Sequence, residues 1–266
     1  MSRGSPNVPC GGFTLVELAL VLAILGALAL TTLGPLGMYV ENRARRATQH
    51  ALETAVEALY GFALLHGRLP CPDRIVDGQP DGDGREDRHG LTACISDDGY
   101  LPAVDLGVEG RDAWGGRLRY HVTAALDPAA GGANFAAHDD GVCRADDADL
   151  DLCEVGVIEV ATRGDDPRTA TVETKALYTL ANGIPAVVVS SGANGILGVA
   201  QDDPSRDEAE NADGDHRFVA RDYAAGGANC RDDDDEGLPL CHFDDLLRWV
   251  SPTVLANRLV RAGRLP

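Results

Sequence analysis

The sequence predicts an α+β chain: a long N-terminal membrane-spanning helix packed on a small antiparallel sheet, with long loops and a C-terminal helix. Three observations predict it. An apolar run of 21 residues extends from Phe13 to Leu33. An amphipathic stretch at helical spacing follows. Beyond it come short β-like runs and a final amphipathic segment.

As a helix rising about 1.5 Å per residue, the apolar run spans roughly 30 Å, the thickness of a bilayer's hydrocarbon core. Glu17 is the only ionisable group inside it. A carboxylate at the bilayer centre costs on the order of 2.5–3.5 kcal/mol, so such a residue calls for a partner. The plainer reading is a side chain that snorkels to the interface. Gly34-Pro35-Leu36-Gly37 then predicts a kink or a local melt, because proline removes a backbone donor and clashes with the preceding turn. From Met38 to about Leu65, Ala44, Ala47, Ala51, Ala55, Leu59 and Phe62 recur at helical spacing, with Leu52, Val56 and Ala63 beside them. Gly67 and Pro70 mark the end of that helix.

The remaining chain carries β-like runs at Arg117–Thr123, Val155–Thr162 and Ile184–Ser190. Val172 to Asn182 reads as a short helix stopped by Gly183. Ser251-Pro252 suits an N-cap and first-turn proline. Val254, Leu255, Leu259 and Val260 give that terminal helix one apolar face before Gly263.

The formal net charge of −19 disfavours general nucleic-acid binding, which needs Lys and Arg to displace counterions. Arg43, Arg45 and Arg46 cluster behind the apolar run, where a solvated helix face is the expected role. Of seven cysteines, Cys10 precedes the apolar run. The other six, Cys71, Cys94, Cys143, Cys153, Cys230 and Cys241, read as a disulfide framework of an oxidising compartment. Their clustering suggests Cys71–Cys94, Cys143–Cys153 and Cys230–Cys241, among the 15 pairings that six cysteines allow. The sequence has no CxxC pair, which argues against a cysteine-based zinc site.

Gly11-Gly12-Phe13-Thr14-Leu15-Val16-Glu17 resembles the prepilin peptidase recognition sequence of type IV pilins and type II secretion pseudopilins. The match covers about the first 25 residues. It implies a leader over 1–12, a transmembrane and assembly helix over 13–34, an amphipathic continuation over 35–68 and a disulfide-stapled head over 69–266. It also implies cleavage between Gly12 and Phe13, N-methylation of Phe13, and a pairing of Glu17 with the Phe13 amine of a neighbouring subunit during assembly. Tyr100-Leu101-Pro102 and Asp112-Ala113-Trp114-Gly115 are similar to segments of pseudopilin and minor-pilin heads. The fold implied is type IV pilin-like. The implied function is that of a structural subunit, a minor pilin or pseudopilin. The alternative is a fibre-tip module that binds a surface, a secreted substrate or DNA. The resemblance further implies three kinds of partner: other pilin or pseudopilin subunits, the prepilin peptidase and an inner-membrane assembly platform. It implies a single-pass inner-membrane location with a periplasmic head, and a periplasmic or extracellular fibre after assembly.

Asp77, Asp81, Asp83 and Asp87 alternate with glycines, a pattern that lets several oxygens converge on Ca²⁺. The twelfth-position Glu and flanking helices of an EF-hand are missing, and a solvated acidic loop is the alternative. Asn211, Asp213 and Asp215 form a weaker second candidate. Asp232 to Asp235 reads as a solvated charge run. Histidines stand at 50, 66, 89, 121, 138, 216 and 242 without an HExxH pair, and no GxSxG turn occurs. Ser190-Ser191-Gly192-Ala193-Asn194-Gly195 reads as a tight loop. Catalysis is therefore not expected.

Overall fold

The computed structural model describes residues 14–76, 79–80, 83–89, 93–124, 135, 156–163, 177–195, 206–227, 229–232 and 239–264. The chain divides into two compact units, Met1–Ala44 and Arg45–Pro266. Helix α1 runs from Leu15 to His66 and belongs to both. Its start is a capping box. Thr14 Oγ1 accepts the Glu17 N–H at 3.2 Å, and the Glu17 carboxylate accepts the Thr14 N–H at 3.4 Å. The backbone stays helical through Gly34-Pro35-Leu36-Gly37, where the sequence predicts a kink or melt. One missing donor leaves the bonds on either side to hold the helix.

The membrane-spanning helix expected over 13–34 is not supported. Among the described residues, no helix is long and apolar enough to cross a membrane. The expected single-pass inner-membrane location loses its support with the span.

Among the described residues, the unit from Arg45 onward holds two sheets of three or more strands. Short ladders β1 (Ile75–Val76) with β2 (Gln79–Pro80), and β3 (Arg88–His89) with β4 (Ala93–Cys94), precede them. After β5 (Asp98–Tyr100) and α2 (Ala103–Leu106) come β6 (Arg119–Val122), β7 (Ile158–Arg163), β8 (Leu177–Ile184) and β9 (Ala186–Ser190). Helix α3 (Arg206–Ala212), β10 (Arg217–Val219), β11 (Leu246–Trp249) and α4 (Pro252–Arg261) complete the order. One sheet is antiparallel, in the order β11-β9-β6-β5, and the other is β10-β7-β8. In the second sheet β10 runs parallel to β7 with Phe218 opposite Val160. The single antiparallel sheet expected from sequence is thus corrected to two sheets, one of them mixed.

The central strand β9 explains the layering. All of Ala186, Val187, Val188, Val189 and Ser190 are buried, so both of its faces are covered. On one face Ala186 and Val188 join Tyr120, Val122 and Val250 against the α1 residues Leu52, Ala55, Leu59, Tyr60 and Ala63 and the α4 residues Leu255 and Leu259. On the other face Val187, Val189 and Leu247 meet Ile158, Val160, Ile184 and Phe218 of the second sheet. The chain changes sheets at Pro185, which has no N–H for a ladder. Beside it Thr123 donates its hydroxyl to the Ile184 carbonyl at 3.1 Å and accepts the Val157 N–H at 3.0 Å. Gly156 lies so close that an added Cβ would sit 2.0 Å from the Ile184 carbonyl oxygen.

The helix ends follow from the sequence. Gly67 takes φ 72° after α1, as its position predicts. Arg264, beyond α4, donates to the Leu64 and Leu65 carbonyls at 3.1 and 2.8 Å and so satisfies the open end of α1. Helix α4 begins after Ser251, whose N–H donates to Tyr60 Oη at 2.9 Å. The helix predicted over Val172–Asn182 is instead strand β8 from Leu177 onward; its earlier residues lie outside the described ones. Pairing with β7, from Arg163 opposite Leu177 to Ile158 opposite Ile184, outweighs the weak helical pattern.

Candidate functional site

The first helical turns of α1 carry the residues that the sequence singles out. Gly12 and Phe13 lie outside the described residues. Glu17 is exposed and turned back on Thr14, so its carboxylate already closes the helix start. Behind it Leu15, Val16, Leu18, Leu20, Val21, Leu22, Ile24 and Leu25 are all exposed, Leu15 to 87%. Met38, Tyr39 and Val40 are exposed too. Exposed apolar patches as large as that from Leu15 to Leu25 are rare on monomeric soluble proteins.

Two of the three expected disulfides are present, Cys71–Cys94 and Cys230–Cys241, with Cα separations of 5.4 and 4.8 Å. Cys143 and Cys153 lie outside the described residues, as does Cys10. Next to the first bridge, Arg68 pairs with Glu86 through two hydrogen bonds of 2.7 and 2.6 Å, and Glu86 also accepts the Cys71 N–H. Burial pushes the Glu86 carboxyl up, but the Arg68 guanidinium, the Cys71 N–H and Arg88 together outweigh it and hold the group below the usual range.

Of the proposed calcium residues, Asp77 and Asp81 lie outside the described residues. Asp83 accepts the Arg85 N–H at 2.7 Å. Asp87 accepts the Arg74 N–H at 3.0 Å, with the Arg74 side chain 3.8 Å away. In the weaker candidate Asn211 is buried, bound to both backbone groups of Val219 and to Asp245. Asp213 and Asp215 accept the N–H groups of Asp215 and Arg217.

The acidic run departs from expectation at its first residue. Asp232 is buried, accepts the Cys241 N–H at 2.8 Å and pairs with Arg221, which also pairs with Asp207. Arg163 holds the other side of Asp207. Asp112-Ala113-Trp114-Gly115 forms a turn in which the Asp112 carboxylate accepts the Trp114 and Gly116 N–H groups and the Ser190 hydroxyl. Thr48 of α1 accepts the Ala113 N–H, so this turn joins helix and sheet.

Ser190 to Gly195 is a tight loop, as expected. Gly192 adopts φ 62°, and the Asp244 carboxylate accepts the Ala193 and Asn194 N–H groups. A groove of about 830 Å³ lies elsewhere on the same unit, with Tyr178, Arg221, Tyr223, Leu247 and Trp249 among its walls.

Among the described residues, two groups converge with metal-ligand character, and neither contains Asp83 or Asp87. They are Asp97 with His121 and His216, and Glu208 with His242 and Asp244. In the second group His242 Nδ1 is 3.1 Å from Glu208 Oε1, which also accepts the Asp244 N–H. Burial pushes the Glu208 carboxyl up against the hydrogen bonds that it accepts. The first group gathers residues from three segments far apart in the chain, and in the second only His242 and Asp244 are near in sequence, with Glu208 distant, so no ligand motif announces either. His121 in the β-like run Arg117–Thr123 is the one local signal. No family model, curated protein or solved structure matches this chain.

Proposed function

We propose that this chain is a prepilin-type structural subunit, cleaved between Gly12 and Phe13 and assembled through its N-terminal helix into a type IV pilus or a type II secretion pseudopilus. The single observation that carries the reading is the exposed apolar surface from Leu15 to Leu25, directly behind the Gly11-Gly12-Phe13 sequence. Packed against the same surface of other subunits, those side chains leave water, each fully buried Leu or Val contributing about 1.5–3 kcal/mol. A capping box that fixes the helix start supports this role, because it holds the first turn next to the new amine in one geometry. The 830 Å³ groove favours a second role for the same subunit, a head that binds a ligand at the fibre tip.

The test is the N-terminal sequence and intact mass of the chain purified from cells with and without prepilin peptidase. The expected product starts at a methylated Phe13 only when the peptidase is present. A chain that still starts near Met1, or one cut beyond Leu33, overturns the reading.

A further inference from the structure

Asp97, His121 and His216 meet at the edge where the two sheets of the larger unit come together. Asp97 precedes β5 and is fixed by its carbonyl, which accepts the Val122 N–H at 2.9 Å. His121 sits in β6, opposite Val187 of β9. His216 precedes β10, and its carbonyl accepts the Glu159 N–H of β7 at 2.8 Å. One ligand-capable atom of each side chain lies within 4.8 Å of the others. His216 Nε2 is 3.5 Å from Asp97 Oδ2, and the two imidazoles stand edge to face with centroids 5.0 Å apart.

His121 is the unusual member. It is 1% exposed, and its buried ring nitrogens have no partner at close hydrogen-bond distance, Asp98 Oδ1 standing 3.8 Å from Nδ1. A ring nitrogen left without a partner in a dry site is costly, and Nε2 is in that position. Phe218 packs on the ring at 5.6 Å and offers it no polar partner. Its nearest carboxylate is Asp98, at 3.8 Å from Nδ1, already bound to Arg119 at 2.5 Å. A cation bound at the ring would satisfy one nitrogen and leave the other to Asp98, the arrangement in which a carboxylate orients a metal-bound histidine.

We propose that Asp97, His121 and His216 bind a divalent transition-metal ion of the zinc class, which cross-links the two sheets. Two imidazoles and one carboxylate suit Zn²⁺, whereas Ca²⁺ and Mg²⁺ prefer oxygen ligands throughout. Three protein ligands leave a position for water in the tetrahedral set that Zn²⁺ adopts. The ion has a way in, since the His216 side chain is about half exposed. The ligands span both sheets, so binding adds a tie that the unfolded chain lacks and raises the melting temperature with ion concentration.

The experiment strips the full chain with a chelator, dialyses it against Zn²⁺ and measures bound metal and Tm together. One equivalent of Zn²⁺ with a raised Tm is expected. His216→Gln and Asp97→Asn, both at the open side of the group, are expected to weaken binding by about tenfold or more while the metal-free chain still melts cooperatively. His242→Gln, in the other group, is expected to bind as the parent does. A folded parent chain that takes up no Zn²⁺ overturns the proposal. So does unchanged uptake in the His216 and Asp97 variants, or uptake lost in the His242 variant alone.

Discussion

At the scale of single residues, the buried carboxylates carry opposite pH signatures. Glu86 is held below its ordinary range because the paired Arg68 guanidinium, the Cys71 N–H and Arg88 together outweigh burial. A depressed carboxylate contributes stability that is present above its unfolded pKa and lost as the pH falls through the folded value. Asp245 is the reverse. Burial drives it well above the ordinary carboxylate range, against the hydrogen bond from Asn211, and the charges of Glu208 and Asp244 push it the same way. Its contribution is present below an unfolded pKa of about 3.9 and is lost as the pH rises through the raised folded value. Asp245→Asn keeps an oxygen for the Asn211 donor and cannot ionise. We expect it to raise Tm at pH 7 by about 2–4 °C, the shift that ~1 kcal/mol produces in a domain of this size, and to leave Tm at pH 4 nearly unchanged. Thermal melts of both chains at the two pH values check this. A lower Tm for the variant at pH 7 would mean that Asp245 is stabilising as a charged acceptor.

At the scale of elements, α1 is one helix in two environments. Leu59 is 0% exposed against the sheet and α4, whereas Leu20 is 59% exposed. Leu59→Ala should therefore destabilise the chain by about 2–5 kcal/mol, as buried leucine truncations do. Leu20→Ala should stay within about 0.5 kcal/mol. Urea unfolding followed by tryptophan fluorescence distinguishes them, and equal losses would contradict the division. Much of this helix was legible in its spacing. The buried stripe of Thr48, Leu52, Ala55, Val56, Leu59 and Ala63 lies close to the predicted face. Ala47, however, is exposed, because the Asp112 turn docks on Thr48 instead. The stop at Gly67, the terminal helix behind Ser251-Pro252 and strands β6, β7 and β9 were legible from capping and β-branched runs. Strand β8 was not, since Leu177–Ile184 becomes a strand only through its pairing with β7. Strand β10 has three residues and takes its place from a parallel pairing that local pattern does not encode. The same distance hides the sites. Asp97, His121 and His216 share no motif, and the partners of Asp232 and Glu86 become neighbours only after folding.

At the scale of the whole molecule, the two units differ in what they need in order to fold. Each buried core residue among those described lies at Thr48 or later. The same holds for both disulfides and for the ion pairs of Arg68, Arg117 and Arg163. The unit from Arg45 onward therefore carries its own core, two sheets with a helix layer over one of them. The part of α1 from Arg45 to His66 is a structural member of that unit. Without Leu52, Ala55, Leu59, Tyr60 and Ala63, the face of β6 and β9 that bears Tyr120, Val122 and Val188 would stand in water. A chain starting at Arg45 is expected to keep a cooperative thermal transition, its near-ultraviolet dichroism and the Cys71–Cys94 and Cys230–Cys241 bridges. A chain starting at Gly67 is expected to lose the transition and the dichroism. Because the shorter cut removes the exposed apolar residues from Leu15 to Val40, the Arg45 chain should also run as a monomer by light scattering. If the Arg45 chain fails to melt cooperatively, then residues before it contribute to the core, and the separation between an assembling helix and a self-sufficient head is wrong. If it folds but still associates, the head holds a second interaction surface, and the groove beside Tyr223 and Trp249 is the place to look for it.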